Sequence, residues 1–340
     1  MRMLYPARSI LAIDSSPFGQ SLALLPVVRA LRASYPDSLL VGAAPCGTSE
    51  LLTAQGLVDE TISLGVVRPS DQGRSRGLKN VFGFAGRARR YNFDVVLDFS
   101  PNLETLLVSR LAMRARVFTP SRLPRVISIL LDLRGTSPSA GQPSHSDHQN
   151  VLQQLGVEMC DKRFAIVPSV DEDARFERRL ASSGSRGGEL IVLLYGANPG
   201  SHSFWPVEAF VEIGIRLSNN FGARVIAADE PSDDSFSRAV GSLLPPGAIR
   251  LTEPRALELI AAIARASLVI TDEPAIAQIA TELRTPVVEI ADAGSSTAPS
   301  SATHRLAKGS SRSRVSAESV YEMAGELIQE NRSPSLFQRP

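Results

Sequence analysis

The chain has 340 residues, 43% hydrophobic and 21% charged, with a formal net charge of +1. That length holds two domains with a substantial core, and the near-neutral balance offers no global field for nucleic acid. No apolar run is long enough to span a bilayer. The N-terminus, MRMLYPARSILAID, lacks both a long apolar segment and a small-residue cleavage site, so a cytoplasmic protein is expected.

Cys46 and Cys160 stand far apart, outside any C-x-x-C pattern, and His145, His148, His202 and His304 form no zinc-type motif. His145 and His148 have a spacing that suits a metal on a helix. Their Ser/Pro/Gly-rich surroundings predict solvated loop histidines instead, so no metal site is expected.

In chain order, Ser9–Ile13 reads as a strand, 14–20 as a turn, and Leu22–Ser34 as a helix with Leu22, Leu25, Val28 and Leu31 on one face. Tyr35-Pro36 ends that helix. Leu39–Ala43 is a strand, Ser49–Gln55 a helix closed by Gly56, and Glu60–Leu64 a strand. Strands alternating with helices at such intervals predict a parallel sheet covered on both faces. Arg68–Arg90 holds seven basic residues against Asp71, with Phe82 and Phe84 interleaved. Such a segment suits an anionic bilayer, although four glycines weaken it as a helix and favour a solvated loop.

Phe93–Phe99 is a buried strand ending at Asp98, followed by a helix from Leu103 to Leu111, a strand at Ala115–Thr119, a loop at 135–147, and a helix at Gln149–Leu155. The Ser/Gly stretch 181–188 marks a boundary. A first domain is therefore expected over 1–180, a second over 181–315, a C-terminal helix over 316–330 and a tail over 331–340. The second domain opens with a strand at Glu189–Leu194 and the turn-rich loop 195–204, which feeds a helix begun by Trp205-Pro206. A Gly-rich loop before a helix N-terminus is a plausible phosphate cradle, here without a Walker lysine.

Strands at Ala223–Ala228 and Ile249–Leu251 and a helix around Leu257–Ala264 lead to Leu268–Ile290, LVITDEPAIAQIATELRTPVVEI. This reads as strand, turn, helix, strand. The turn Thr271–Pro274 lies at a strand's carboxyl end and a helix's amino end, a place that favours an anion. Asp272 as a cap and Pro274 as a first helical residue explain the same turn without a ligand. The first strand turn has no G-x-G-x-x-G, which argues against a dinucleotide enzyme.

Five stretches in this order resemble glycosyltransferase family 9, the ADP-heptose:lipopolysaccharide heptosyltransferases. They are ILAIDSSPFGQSLALLPVVRALRASYPDSLLVG, VDETISL, YNFDVVLDFSPNLET, YGANPGSHSFWPVEAFVEIGIRL and LVITDEPAIAQIATELRTPVVEI. The resemblance spans roughly Ser9 to Ile328. It implies a GT-B fold, two Rossmann-like parallel-sheet domains facing a cleft, with the C-terminal helix returning to the first domain. It also implies a nucleotide-diphosphate sugar as donor, a lipid-linked saccharide such as a lipopolysaccharide core as acceptor, no cofactor or obligatory metal, and peripheral contact with the anionic inner face of the cytoplasmic membrane.

The implied donor-binding residues are Gly196, Ala197, Asn198, Ser203, Trp205, Asp272, Glu273, Ala275 and Gln278, and the acceptor-side residues are Gly19, Gln20 and Ser100. This sequence departs from the family's pattern at the chemistry. The family's catalytic acid aligns with Gln20, which cannot act as a general base. Its lysine aligns with Ser203, so a cation for the diphosphate is missing. Counting back from Thr285-Pro286, its Asp, Thr, Gly and His fall on Glu273, Pro274, Ala275 and Gln278, and a further lysine falls on Glu104. Two readings follow. One is a transferase that uses another base, with Asp14 and Asp98 as candidates and His202 as a phosphate donor. The other is a catalytically inactive homologue that binds saccharide or serves assembly.

Overall fold

The computed structural model describes residues 5–64, 86, 89–100, 115–119, 134–135, 145–184, 189–196, 204–231, 234–241, 243–244, 247–294 and 301–332. The chain divides into two compact units, Met1–Ala165 and Ile166–Pro340.

The first unit is built on β1 (Ser9–Ile13), whose five residues are all buried. A strand covered on both faces reads as an unbroken apolar run, which is why SILAI carries no polar alternation. After the short helix α1 (Phe18–Ser21), α2 (Leu24–Ser34) buries Leu24, Leu25, Val27, Val28 and Leu31. β2 (Leu39–Pro45), α3 (Cys46–Ala54), β3 (Glu60–Leu64), β4 (Val95–Asp98), β5 (Arg116–Thr119) and β6 (Arg134–Gly135) follow. All described pairings are parallel and the strand order is β3-β2-β1-β4-β5-β6. The unit closes with α4 (His145–Gln154).

The second unit opens with α5 (Val170–Ser182) and continues with β7 (Ile191–Tyr195), α6 (Val207–Phe221), β8 (Arg224–Ala228), α7 (Ser235–Gly241), β9 (Ile249–Leu251), α8 (Ala256–Arg265), β10 (Leu268–Thr271), α9 (Pro274–Glu282), β11 (Val287–Asp292), β12 (His304–Gly309) and α10 (Ala317–Arg332). Its strand order, β12-β11-β10-β7-β8-β9, is again fully parallel. Read from its first strand, each sheet runs 3-2-1-4-5-6, the doubly wound order of the Rossmann fold. The expected GT-B class of two Rossmann-like parallel-sheet units therefore holds.

Local signals explain the helix ends. Gly222 adopts φ 66° after α6, and the N–H groups of Gly222 and Ala223 return to the Ser218 and Leu217 carbonyls, a left-handed cap that glycine adopts without strain. Pro274 opens α9, where its missing N–H costs nothing. The second core is anchored by edge-to-face contacts from Trp205 to Phe210 (4.7 Å) and from Phe210 to Phe236 (4.9 Å).

Several expectations are corrected. The boundary predicted at 180/181 falls inside α5, near its C-terminal end, whereas the compact units part after Ala165. α5 packs on α8 through Asp173–Arg265, Glu177–Arg265 and Arg179–Glu258 ion pairs, so it belongs to the second unit. The C-terminal helix α10 packs on the second unit. Glu318 pairs with Arg216, Tyr321 accepts from Asn220, and Val320, Ala324, Leu327 and Ile328 join the core. Finally, the segment taken for a loop around His145 and His148 is the start of α4, and His148 is buried. Its imidazole finds an apolar wall in Phe99, which a composition-based loop assignment cannot register. The helix predicted at Leu103–Leu111 and most of the basic segment lie outside the described residues.

Candidate functional site

In a doubly wound sheet, ligands bind at the carboxyl ends of the strands where the strand order reverses. In the first unit that point lies between β1 and β4. Cα pairing sets Ile13 opposite Asp98, so Asp14 and Asp98 leave the sheet side by side. Both are buried, Asp14 at 2% exposure and Asp98 at 0%. Asp14 Oδ1 accepts from Ser16 N–H (2.9 Å), while its Oδ2 lies 3.7 Å from His148 Nε2. The His148 ring stacks on Phe99 with centroids 4.8 Å apart. Ser100 joins the two strand ends: its hydroxyl accepts from Ser15 N–H (2.5 Å) and its N–H reaches Asp98 Oδ1 (3.3 Å).

The acceptor-side residues therefore divide. Ser100 belongs to this cluster as a tie between turns. Gly19 and Gln20 lie on α1, Gly19 half-buried and Gln20 exposed. His148 was missed by sequence reasoning, because a buried contact with Asp14 across such a separation leaves no local pattern.

In the second unit the reversal lies between β7 and β10, where Gly196 and Asp272 follow the strands. Gly196 is pressed against Phe236, and a Cβ at this position would come within 2.4 Å of the ring. Asp272 is fully buried, and its Oδ2 accepts from Trp205 N–H (2.8 Å). Trp205 is 1% exposed and donates its indole N–H to the Val315 carbonyl (2.9 Å). Trp205 and Asp272 are thus brought together as a structural tie, with no indole face open to a ligand. Glu273 and Ala275 are half-buried at the head of α9, and Gln278 donates to Glu282 one turn on (3.0 Å). Ala197, Asn198, His202, Ser203 and Glu104 lie outside the described residues.

The electrostatics here are distinctive. Glu273 has its carboxyl pushed up to about 7, first by burial, then by the neighbouring Asp272 and Glu230 carboxylates, with Arg312 opposing. Tyr195, at the end of β7, is driven well above the ordinary phenol range by burial and the carboxylates of Glu230, Glu273, Asp229 and Asp272. Asp229 Oδ1 accepts from Ser237 N–H (2.9 Å). Asp292, at the end of β11, accepts from Arg312 N–H (2.7 Å). Tyr195, Asp229 and Arg312 were not singled out by the sequence. Arg312 follows β12, a strand whose residues HRLAKG carry too little apolar signal to be read as one. Among the described residues, no cluster of His, Cys, Asp and Glu could hold a metal ion, and no helix is long and apolar enough to cross a membrane.

No family model matches the sequence, and no curated protein matches it. Solved structures do. A glycosyl transferase family 9 protein from Veillonella parvula is 16% identical, with a TM-score of 0.73 over 95% of this chain and 97% of its own. The ADP-heptose lps heptosyltransferase II of E. coli is 17% identical, with a TM-score of 0.68 over 96% of this chain and 100% of its own. The E. coli heptosyltransferase WaaC with ADP-2-deoxy-2-fluoro heptose is 15% identical, with a TM-score of 0.65 over 94% and 99%. The chain thus shares, from end to end, the fold of family 9 glycosyltransferases and ADP-heptose heptosyltransferases.

Proposed function

We propose that the chain is a glycosyltransferase that moves a sugar from a nucleoside-diphosphate sugar to a hydroxyl of a saccharide acceptor. The observation that supports this reading is the end-to-end likeness of fold to heptosyltransferases. Fold alone does not fix chemistry. The finer part of the proposal is a heptose-like sugar and a lipid-linked acceptor such as a lipopolysaccharide core. The reaction is taken to run without a metal, at the anionic inner face of the cytoplasmic membrane.

In the proposed reaction the acceptor oxygen attacks the anomeric carbon. The bond from that carbon to the diphosphate oxygen breaks, and its electron pair leaves on the nucleoside diphosphate. The hydroxyl proton passes to a base. Gln20 cannot accept it, so the base falls to Asp14 or Asp98 at the β1/β4 strand ends. The diphosphate would be met by backbone N–H groups at the head of α9, where Pro274 removes one donor.

Calorimetric titration with ADP-, UDP- and GDP-sugars tests the donor class, and absence of binding by all of them would sink the proposal. If one binds, transfer or hydrolysis by Asp14→Asn and Asp98→Asn tests the base. Unchanged turnover in both removes them. Donor binding without any turnover would favour the inactive, saccharide-binding reading, for which the carboxamide of Gln20 is the supporting feature. Flotation on vesicles with and without anionic lipid tests the membrane contact, and equal recovery argues against it.

A further inference from the structure

At the β1/β4 strand ends, Asp14 Oδ2 faces His148 Nε2. We infer that His148 is a positioning residue: it aims the Asp14 carboxylate as the base that takes the acceptor's proton. This rests on the glycosyltransferase reading and names Asp14 as that base.

Three observations carry it. The first is the pair itself. Asp14 and His148 are 2% and 4% exposed, and Oδ2 and Nε2 lie 3.7 Å apart. Side chains at this depth feel each other's charge and dipole with little screening by water. With its proton on Nε2, the imidazole turns its positive end toward the carboxylate.

The second is that the imidazole is held in place. Its ring lies on Phe99, with 4.8 Å between centroids and 21° between planes. Phe99 N–H donates to the Ile13 carbonyl (2.9 Å), so the stacking ring is tied to the residue before Asp14. Further along, α4 buries Val151 and Leu152 and packs on α2 and β5. Leu155, just past the helix, is also buried, and its carbonyl accepts from Tyr5 N–H (3.0 Å). A ring carried on so anchored a helix has little freedom to turn away.

The third is how the carboxylate itself is set. Asp14 N–H donates to the Ala43 carbonyl (2.9 Å), and Ser16 N–H donates to Oδ1 (2.9 Å). These fix the backbone and one carboxylate oxygen. His148 faces the other oxygen, and the two contacts together define the carboxylate plane. A carboxylate has about four lone-pair sites, so acceptor capacity remains for a hydroxyl. In the step, the acceptor O–H bond breaks and its proton goes to Asp14. The oxygen's electron pair bonds to the anomeric carbon, and the nucleoside diphosphate leaves with the pair of the broken C–O bond. A base that is present but misaimed loses rate.

The test measures nucleoside diphosphate released from ADP-heptose, ADP-glucose, UDP-glucose and GDP-mannose. The acceptor is lipopolysaccharide core oligosaccharide in one arm and water alone in the other. Wild type is compared with Asp14→Asn, His148→Phe, His148→Gln and the double variant D14N/H148F. Phe keeps the stack on Phe99 and loses the ring nitrogens, whereas Gln keeps an N–H near the place of Nε2. H148F should lower kcat about tenfold or more with the donor KM unchanged, and H148Q should recover part of that loss. On the D14N background H148F should lower kcat no further, because its effect passes through Asp14. A ring that serves only the fold would cost the same factor with or without Asp14, and that result overturns the role. H148F turnover equal to wild type also overturns it and leaves the glycosyltransferase reading standing. D14N turnover equal to wild type overturns it and leaves Asp98 as the base. A wild type that releases diphosphate from none of the donors overturns both readings. If H148F does not fold, wild type and D14N are compared by 15N NMR of the His148 ring, assigned with H148Q. The ring nitrogens should shift on loss of the Asp14 charge, and unshifted nitrogens overturn the role.

Discussion

Replacing Glu273 with Gln should make the second unit more stable at alkaline pH and leave it unchanged at acid pH. Burial and the nearby Asp272 and Glu230 carboxylates raise the Glu273 carboxyl from 4.5 to about 7. Below pH 4.5 the acid is protonated in both folded and unfolded chains and contributes no pH dependence. Between 4.5 and 7 the unfolded chain has released the proton while the folded chain holds it, so stability falls as pH rises. Above 7 the loss is complete. At 1.36 kcal/mol per unit, the printed shift corresponds to about 3 kcal/mol, and half-burial lowers this toward about 1–2 kcal/mol through solvent screening. Gln keeps the shape of the protonated acid and cannot ionise, so E273Q should lack this loss.

Trp205, the only tryptophan in the chain, lies in the core of the second unit, so its fluorescence during urea unfolding reports on that unit. The stability difference between E273Q and wild type should be near zero at pH 4 and grow to about 1–2 kcal/mol in favour of E273Q by pH 8.5. Parallel stability curves for the two proteins across this range would refute the reasoning.

Four further outcomes are expected. At pH 8, diphosphate binding measured in buffers of different ionisation enthalpy should take up part of a proton, because an arriving anion favours the protonated Glu273, and E273Q should take up none. Gly196→Ala should destabilise by about 1–3 kcal/mol through the clash with Phe236, and Phe236→Leu in the same chain should recover part of the loss in urea midpoint. Trp205→Phe leaves the Val315 carbonyl without its indole donor and should cost about 1–3 kcal/mol, read by thermal melting. EDTA should leave the proposed transfer rate unchanged, and a rate restored only by added divalent ion would contradict a metal-free reaction.

Among the buried strands, β1 appears at the residues expected and β10 and β11 within one or two, because a strand covered on both faces must be an apolar run. The edge strands β3 and β9 also appear at the residues expected, although β3 buries only Ile62 and β9 exposes Arg250. Other edge and surface elements were not legible. β12 and β6 present few apolar residues, and α5 buries only Glu172, Phe176 and Leu180, too thin a stripe for periodicity to detect. Its acidic first turn and later Arg179 do follow the helix dipole, and that charge order was the available signal. At the site, Asp14, Asp98, Gly196 and Asp272 were legible because each follows a recognisable strand. His148 and Arg312 were not, because their roles come from contacts with residues distant in the chain.

The same geometry explains why the landmarks of the resemblance survive while its chemistry does not. Asp272 and Trp205 hold each other, and Trp205 holds Val315. Losing any member would leave a buried donor or acceptor unsatisfied, at a cost of about 1–3 kcal/mol each. These positions answer to folding whether or not a ligand ever binds. Gln20 is exposed, so substitution there carries no comparable folding cost. The Trp-Pro pair is therefore evidence of the fold and carries little weight for catalysis. If the chain transfers sugar, the groups that do so must be sought at the same strand ends but outside the motif, and Asp14 and Asp98 are the residues the fold puts there.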